Sequence, residues 1–375
     1  MNVLNSIKRP TLLLDRRKCL NNIEKMVKKA ADHGLRFRPH FKTHQSVEIG
    51  RWFNDLGVRS ITVSSLSMAE YFARAGWQDI TVAFPVNVRE MDAINRLAGR
   101  IQLNLLVESS QVTDFLAAKL NSKVNLFIKI DTGLHRTGLE PAATDEVDRI
   151  LDVVQKSPLL SFSGFLTHSG HTYRAKSVAE IKDIHTDAVR QLSALKEKYR
   201  ARFPHLIVSI GDTPSCSLVD DFSSVDEIRP GNFVFYDVMQ WQLGSCTLDQ
   251  VAVALACPVV AKHEQRGELV LYGGAIHLSK ERLILQDGRI CYGVMVELKE
   301  DGWEIPSKIQ PLTGLSQEHG ILNVDKESMQ KIAVGDLVGI LPVHSCLTAH
   351  LMKGYLTFDG QTIDHLNART NFLQT

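Results

Sequence analysis

Between residues 35 and 235 the chain repeats one pattern, a short apolar run followed by a helix-length amphipathic stretch, and that rhythm constrains its fold most. Strands are predicted at residues 35–40, 60–64, 79–85, 101–107, 124–131, 160–168, 206–210 and 225–235. Helices are predicted ahead of them at 17–34 and between them at 67–75, 88–97, 111–120, 144–155 and 177–199. This strand count over about two hundred residues matches a (β/α)8 barrel of the TIM type. An open doubly wound sheet is the alternative. In a barrel the chemistry lies where strands end, and Lys42, Asp131, His168, Asp212 and Asn232 all fall at or just beyond those ends.

After residue 237 the rhythm changes. Runs at 251–260, 268–275, 293–298, 321–324, 337–343 and 356–358 read as strands separated by glycine and polar turns. The expectation is an α/β chain with a barrel over residues 1–240 and a mostly β domain over 241–375. A further short strand at 11–15 can join either part.

Composition narrows the function. With 375 residues, 44% hydrophobic and 23% charged, the chain can build two cores, and 43 basic against 42 acidic residues leave no electrostatic footprint for nucleic acid or an anionic membrane. A small-molecule partner is expected. Residues 1–10 lack the apolar centre of a signal peptide, and no apolar run approaches the roughly 20 residues of a membrane helix, so a cytoplasmic location is expected. Six scattered cysteines without a C-x-x-C pair suit reduced thiols.

The segment Arg38-Pro39-His40-Phe41-Lys42-Thr43-His44 sets one lysine among three potential cations. A crowded, partly desolvated ammonium loses its proton more readily, and a neutral amine attacks carbonyls, so Lys42 is a candidate Schiff-base lysine. The competing reading is a basic loop at a helix start. Arg136, in a glycine-containing turn after the fifth strand, can hold a phenolate or carboxylate oxygen, or simply pair with Asp131. The loops around Gly211, Thr213 and Ser215 and around Gly231 and Asn232 follow the last two strands, where barrels often hold a phosphate. Either His168 or His171, which close the sixth strand with Tyr173, suits a general base. If the segment at 344–346 is extended, His344 and Cys346 reach one divalent ion, zinc being well suited to imidazole plus thiolate. Gln240 and Trp241 are placed at the mouth of a substrate pocket.

Six stretches in order, PHFKTHQ (39–45), KIDTGLHRTG (129–138), HSGHTY (168–173), GDTPS (211–215), RPGNFVFYD (229–237) and PVHSCLT (342–348), resemble the D-threonine aldolase and D-serine dehydratase family. These are pyridoxal-phosphate enzymes of fold type III, alanine racemase-like, and the resemblance covers nearly the whole chain. It implies Lys42 as the lysine that carries the cofactor aldehyde, Arg136 near its phenolate oxygen, Tyr173 close by, and Gly211, Thr213, Gly231 and Asn232 around its phosphate. It further implies that His344 and Cys346 bind a divalent metal, Zn or Mn, that contacts the substrate hydroxyl, in a homodimer with the site at the interface. The activity implied is a lyase acting on D-3-hydroxy amino acids. A D-threonine-type retro-aldol is set slightly ahead of D-serine-type dehydration because His171 offers a second base beside His168. An amino acid racemase, which needs no metal, and a non-catalytic cofactor-binding protein, which usually lacks a second domain, are the remaining readings.

Overall fold

In the computed structural model, which describes residues 3–367, the alternation becomes a ring of eight parallel strands. They are β1 (Arg36–Phe37), β2 (Ser60–Val63), β3 (Asp79–Pro85), β4 (Gln102–Val107), β5 (Val124–Lys129), β6 (Leu160–Leu166), β7 (Ile207–Ile210) and β8 (Glu227–Ile228). Each pairs with its neighbours in sequence, and β1 pairs with β8. The seam between β1 and β2 is closed by a bridge from His40 to Thr62, where Phe41 N–H donates to Thr62 O at 2.8 Å and Thr62 N–H to Pro39 O at 2.9 Å. The doubly wound sheet is therefore excluded.

Strands covered on both faces read as continuous buried runs, as in Gln102–Val107, where every residue after the first is buried. Leu106, Phe127, Leu166 and Ile207 form one interior cluster. The helices present one apolar face each. Val147, Ile150, Leu151 and Val154, spaced by three and four, are the buried side of Thr144–Lys156. Serines start three of these helices: Ser65, Ser109 and Ser177 accept from the N–H groups of Met68, Val112 and Glu180.

Low in the ring lies a buried ionic belt. Arg38 donates to Asp79 at 2.6 and 2.9 Å and to Glu227 at 2.7 Å; Glu227 accepts from Ser209 at 2.6 Å, whose hydroxyl accepts from Arg229 at 2.7 Å. Arg38, Ser209, Glu227 and Arg229 are all buried, so each charge is kept only because its partners are in place. Arg38 is thus spent on carboxylates.

By contact the chain divides into two compact units. Lys25–Lys42 with Arg51–Gly231 hold the ring, while residues before Lys25, Thr43–Gly50 and the chain from Asn232 onward make the other. In that second unit a ten-stranded, largely antiparallel sheet is organised on Val253–His263. This strand pairs with Glu268–Tyr272 and Leu337–Pro342, and its first residues pair with Thr11–Leu14. Leu337–Pro342 carries Gly293–Lys299 in turn. The six cysteines are free thiols. No helix among the described residues is long and apolar enough to cross a membrane.

Two sequence expectations fail locally. The strand predicted at 225–235 ends at Ile228, because Pro230 has no N–H to donate to a ladder and Asn232–Val234 turns into a 3-10 helix. The segment at 344–346 is not extended: His344 is the N-cap of the helix Ser345–Met352, which places Cys346 in its first turn.

Candidate active site

Lys42 follows directly on Phe41, whose fully buried ring packs on Phe53, Phe72 and Trp77 with centroids 5.0, 5.0 and 5.1 Å away. The aromatic wedge fixes the backbone from which the half-buried lysine projects. Of the three potential cations beside it in sequence, one stays in its company. Arg38 is paired with Asp79 and Glu227, and His44 is buried beside Asp364 and His365. Lys42 is instead in the electrostatic company of His40 and His168. Burial, then Lys42, Arg229, His168 and Arg136, hold the His40 imidazole well below its usual pKa. Burial, then Lys42, with further contributions from Arg136 and Lys129, do the same to His168.

His168 Nδ1 lies 2.6 Å from Gly211 O, so Nδ1 carries the proton and Nε2 presents a lone pair. Lys129, at the end of β5, is buried and donates to Ile130 O at 3.0 Å. Desolvation first, then Arg229, bring it down to about 7. Sequence reasoning gave Lys129 and Arg229 no charge-bearing role here, and credited His40 only as a neighbour of Lys42. A lysine closing the otherwise apolar run Leu126-Phe127-Ile128 was the available signal.

Beside His168 the proposed phosphate loops come together. Gly211 cannot carry a side chain, since a Cβ there would lie 2.8 Å from the backbone carbonyl carbon of Arg229. Thr213 begins the helix Thr213–Leu218, whose N-cap Asp212 accepts from Ser215 N–H at 2.8 Å and from the Thr172 hydroxyl at 3.0 Å. Burial raises Asp212 to about 6. Tyr173 OH accepts from Thr213 N–H at 3.4 Å, and its ring stands 6.5 Å from that of His168. Gly231 is buried in the following loop, next to Pro230, whose carbonyl accepts from His40 N–H at 2.8 Å.

Two candidates stand apart from this cluster. Arg136 is exposed, although its charge acts on His40, His168 and Lys129; its turn folds back over Gly138, which at φ 113° leaves no room for a Cβ against Asp131 N at 2.7 Å. Asp131 accepts from the N–H groups of Gly133 and His135. It does not form a close pair with Arg136; its ionic neighbour is His135, at 3.7 Å. Burial lowers His171, against the opposing charge of Asp131 and Asp187 and with that of His135.

In the second unit His344, Cys346, Asn232 and Asp237 form another polar knot. Asp237 Oδ2 accepts from Asn232 Nδ2 at 2.6 Å and from Ser345 N–H at 3.0 Å, and it lies 3.6 Å from His344 Nδ1. Asn232 Nδ2 also reaches Ser345 Oγ at 3.0 Å and Cys346 Sγ at 3.6 Å, and Thr43 Oγ1 is 3.2 Å from the same sulfur. Burial pulls the His344 imidazole down, but Cys346 and Asp237 outweigh it and raise it to about 9. His344 Nδ1 is buried without a hydrogen-bond partner. An orphaned imidazole nitrogen and a sulfur, backed by a hydrogen-bonded carboxylate, fit a divalent ion of borderline softness. Gln240 is fully buried rather than at a mouth.

Comparison with known proteins adds the following. The alanine racemase N-terminal domain matches residues 14–238, and a putative serine dehydratase domain matches residues 252–358. The D-serine dehydratase of Dictyostelium discoideum is 29% identical over 393 aligned positions, 96% of each protein. The structure of D-threo-3-hydroxyaspartate dehydratase from Delftia sp. HT23 superposes with a TM-score of 0.89 at 27% identity, over 98% of this chain and 99% of that one. A 3-hydroxy-D-aspartate aldolase of Paracoccus denitrificans is 28% identical over 62% of each chain.

Proposed function

This chain belongs to the alanine racemase N-terminal domain family, and on that premise we propose that it is a pyridoxal-phosphate- and divalent-metal-dependent lyase. Its substrates are D-3-hydroxy amino acids; the β-hydroxyl leaves as water, and hydrolysis of the released imine takes up one water to give a keto acid and ammonia. The observation that carries the reading is the electrostatic gathering of Lys42, His40, His168, Arg136, Lys129 and Arg229 where the barrel strands end. The positive charges among them, pressing two imidazoles into their neutral forms, suit an anionic, phosphorylated aldehyde. The full-length dehydratase relatives favour elimination over retro-aldol cleavage. The retro-aldol preference rested on His171 as a second base beside His168, and the groups acting on His171 belong to a different set.

When bound, the cofactor supplies an electron sink for bond breaking at Cα, and the ion supplies a Lewis acid for the departing hydroxyl. The residues do the rest. Lys42 offers the amine, and Gly211, Thr213, Tyr173 and Gly231 hold the phosphate. Asn232 contributes to the phosphate through its backbone, since its side-chain amide is committed to Asp237 and Ser345. Arg136 would pair with the phenolate oxygen. His168 Nε2, neutral at physiological pH, accepts or returns a proton, and the bond to Gly211 keeps that nitrogen turned for the task. His344 and Cys346 would hold the ion, through donor atoms that must be free of protons. The enzyme works as a homodimer.

The test is to load the protein with pyridoxal phosphate and zinc or manganese, and offer D-serine, D-threo-3-hydroxyaspartate and D-threonine. Equal yields of keto acid and ammonia are expected. Glycine with an aldehyde would replace elimination by the retro-aldol reaction, and turnover of none of the three would overturn the proposal.

A further inference from the structure

The four residues after Lys42 are held by the far end of the chain. Asp364 Oδ1 accepts from the Ser46 hydroxyl at 2.6 Å and from Glu48 N–H at 3.0 Å, while its Oδ2 accepts from Val47 N–H at 3.0 Å. These groups open the helix Val47–Asp55. The other N–H groups of that first turn are satisfied locally, Ser46 N–H by His44 Nδ1 at 3.1 Å and Ile49 N–H by Ser46 Oγ at 3.1 Å. A helix start normally finds its acceptors within a few residues. Here two of the four come from a carboxylate more than three hundred positions away, which also orients the serine that serves a third.

The same far segment grips the turn before the helix. Tyr355 OH donates to His44 O at 2.6 Å, and Leu366 N–H donates to Gln45 O at 2.7 Å. Gln45 needs such a grip, because its φ of 48° is a left-handed conformation that a residue with a side chain adopts only when its surroundings enforce it. On the other side of Lys42 the chain is fixed by Phe41, through its buried ring and its bond to Thr62 O. A lysine amine sits at the end of four flexible methylenes, so its placement depends on the backbone on both sides being fixed.

We propose that Asp364 is a positioning residue for Lys42: by capping the helix that follows, it completes the rigid frame from which the amine reaches its aldehyde. The inference rests on the assignment of Lys42 as the cofactor-bearing lysine. Asp364 accepts from Ser46, Val47 and Glu48, and it is through these that it acts on the lysine.

The test uses the full-length protein freed of cofactor, as wild type, Asp364→Ala, Asp364→Asn and Asp359→Ala. Asp359 belongs to the neighbouring turn, where it bonds Thr357 and Gln361, and so controls for a general loosening of this segment. Pyridoxal phosphate is added, and growth of the Schiff-base absorbance band is followed beside thermal melting. Asp364→Ala is expected to slow the band's appearance about tenfold or more, the scale of effect that follows from misplacing a reacting group. Asp359→Ala should match wild type in rate even if it melts earlier. Asp364→Asn, which keeps one acceptor oxygen, should recover part of the rate, and it carries the test if the alanine variant does not fold. Wild-type rates in both Asp364 variants would overturn the inference while leaving the functional reading intact. No band in the wild type would overturn both.

Discussion

At the barrel strand ends, His40 and His168 are pressed towards neutrality by burial and by the cations Lys42, Arg136, Lys129 and Arg229. In the other unit, His344 is raised to about 9 by Cys346 and Asp237. The first cluster has an excess of positive charge that an anion must complete. The second is already balanced by a proton, so a cation enters it only in competition with that proton. The difference teaches how the same residue types can suit opposite ligands: an imidazole among ammonium and guanidinium groups suits an anion, and one set against a sulfur and a carboxylate suits a divalent cation.

The predictions that strain this contrast differ in size. Cys346→Ala should strip the divalent ion and lower turnover about a thousandfold, with metal content after dialysis measured by plasma mass spectrometry. A variant that keeps its metal would break the comparison. Arg38→Leu deprives Asp79 of its guanidinium partner and leaves Glu227 with Arg229 alone, and should destabilise the fold by about 3–5 kcal/mol in urea titration. Asp237→Asn keeps one of the two acceptor oxygens but removes the charge behind His344, and should weaken metal binding about 10- to 100-fold in competition with a chelating dye.

A smaller effect concerns acid. Burial lowers His44 to about 3 and His365 to about 4, both below the ordinary value of 6.5. The neutral forms are therefore favoured by folding. The stability they contribute is complete above 6.5 and is lost as pH falls from there towards the folded values. Urea titrations between pH 6.5 and 4.5 should show His365→Gln losing less stability than wild type, by about 1.4 kcal/mol for each pH unit. Parallel curves would refute the account of that histidine.

Much of this was readable from residue order. The barrel announced itself because parallel strands bury both faces and leave unbroken apolar runs, as at residues 102–107, and because amphipathic stretches of helix length, as at 144–155, lie between them. The site residues were visible where polar groups interrupt that pattern at strand ends. What escaped was pairing at long range. Nothing local in RFRPH reveals that Arg38 is neutralised by Asp79 and Glu227, so it was credited to the company of Lys42. The H-S-C triplet reads as readily as strand or as helix start, and only Asp237, more than a hundred residues earlier, accepting from Ser345 N–H shows which. Asp364 had no signal at all, because a carboxylate near a chain end looks like any other until the helix it caps is known.

The central claim is that Lys42 carries the cofactor, and Lys129, whose pKa of about 7 also leaves it substantially neutral near physiological pH, is its natural rival. Reducing the pyridoxal-phosphate-loaded protein with borohydride and locating the added mass by peptide mapping decides between them. The pyridoxyl group is expected on Lys42 and is expected to vanish in Lys42→Ala. Its appearance on Lys129, or its persistence at undiminished yield in the variant, would contradict the account.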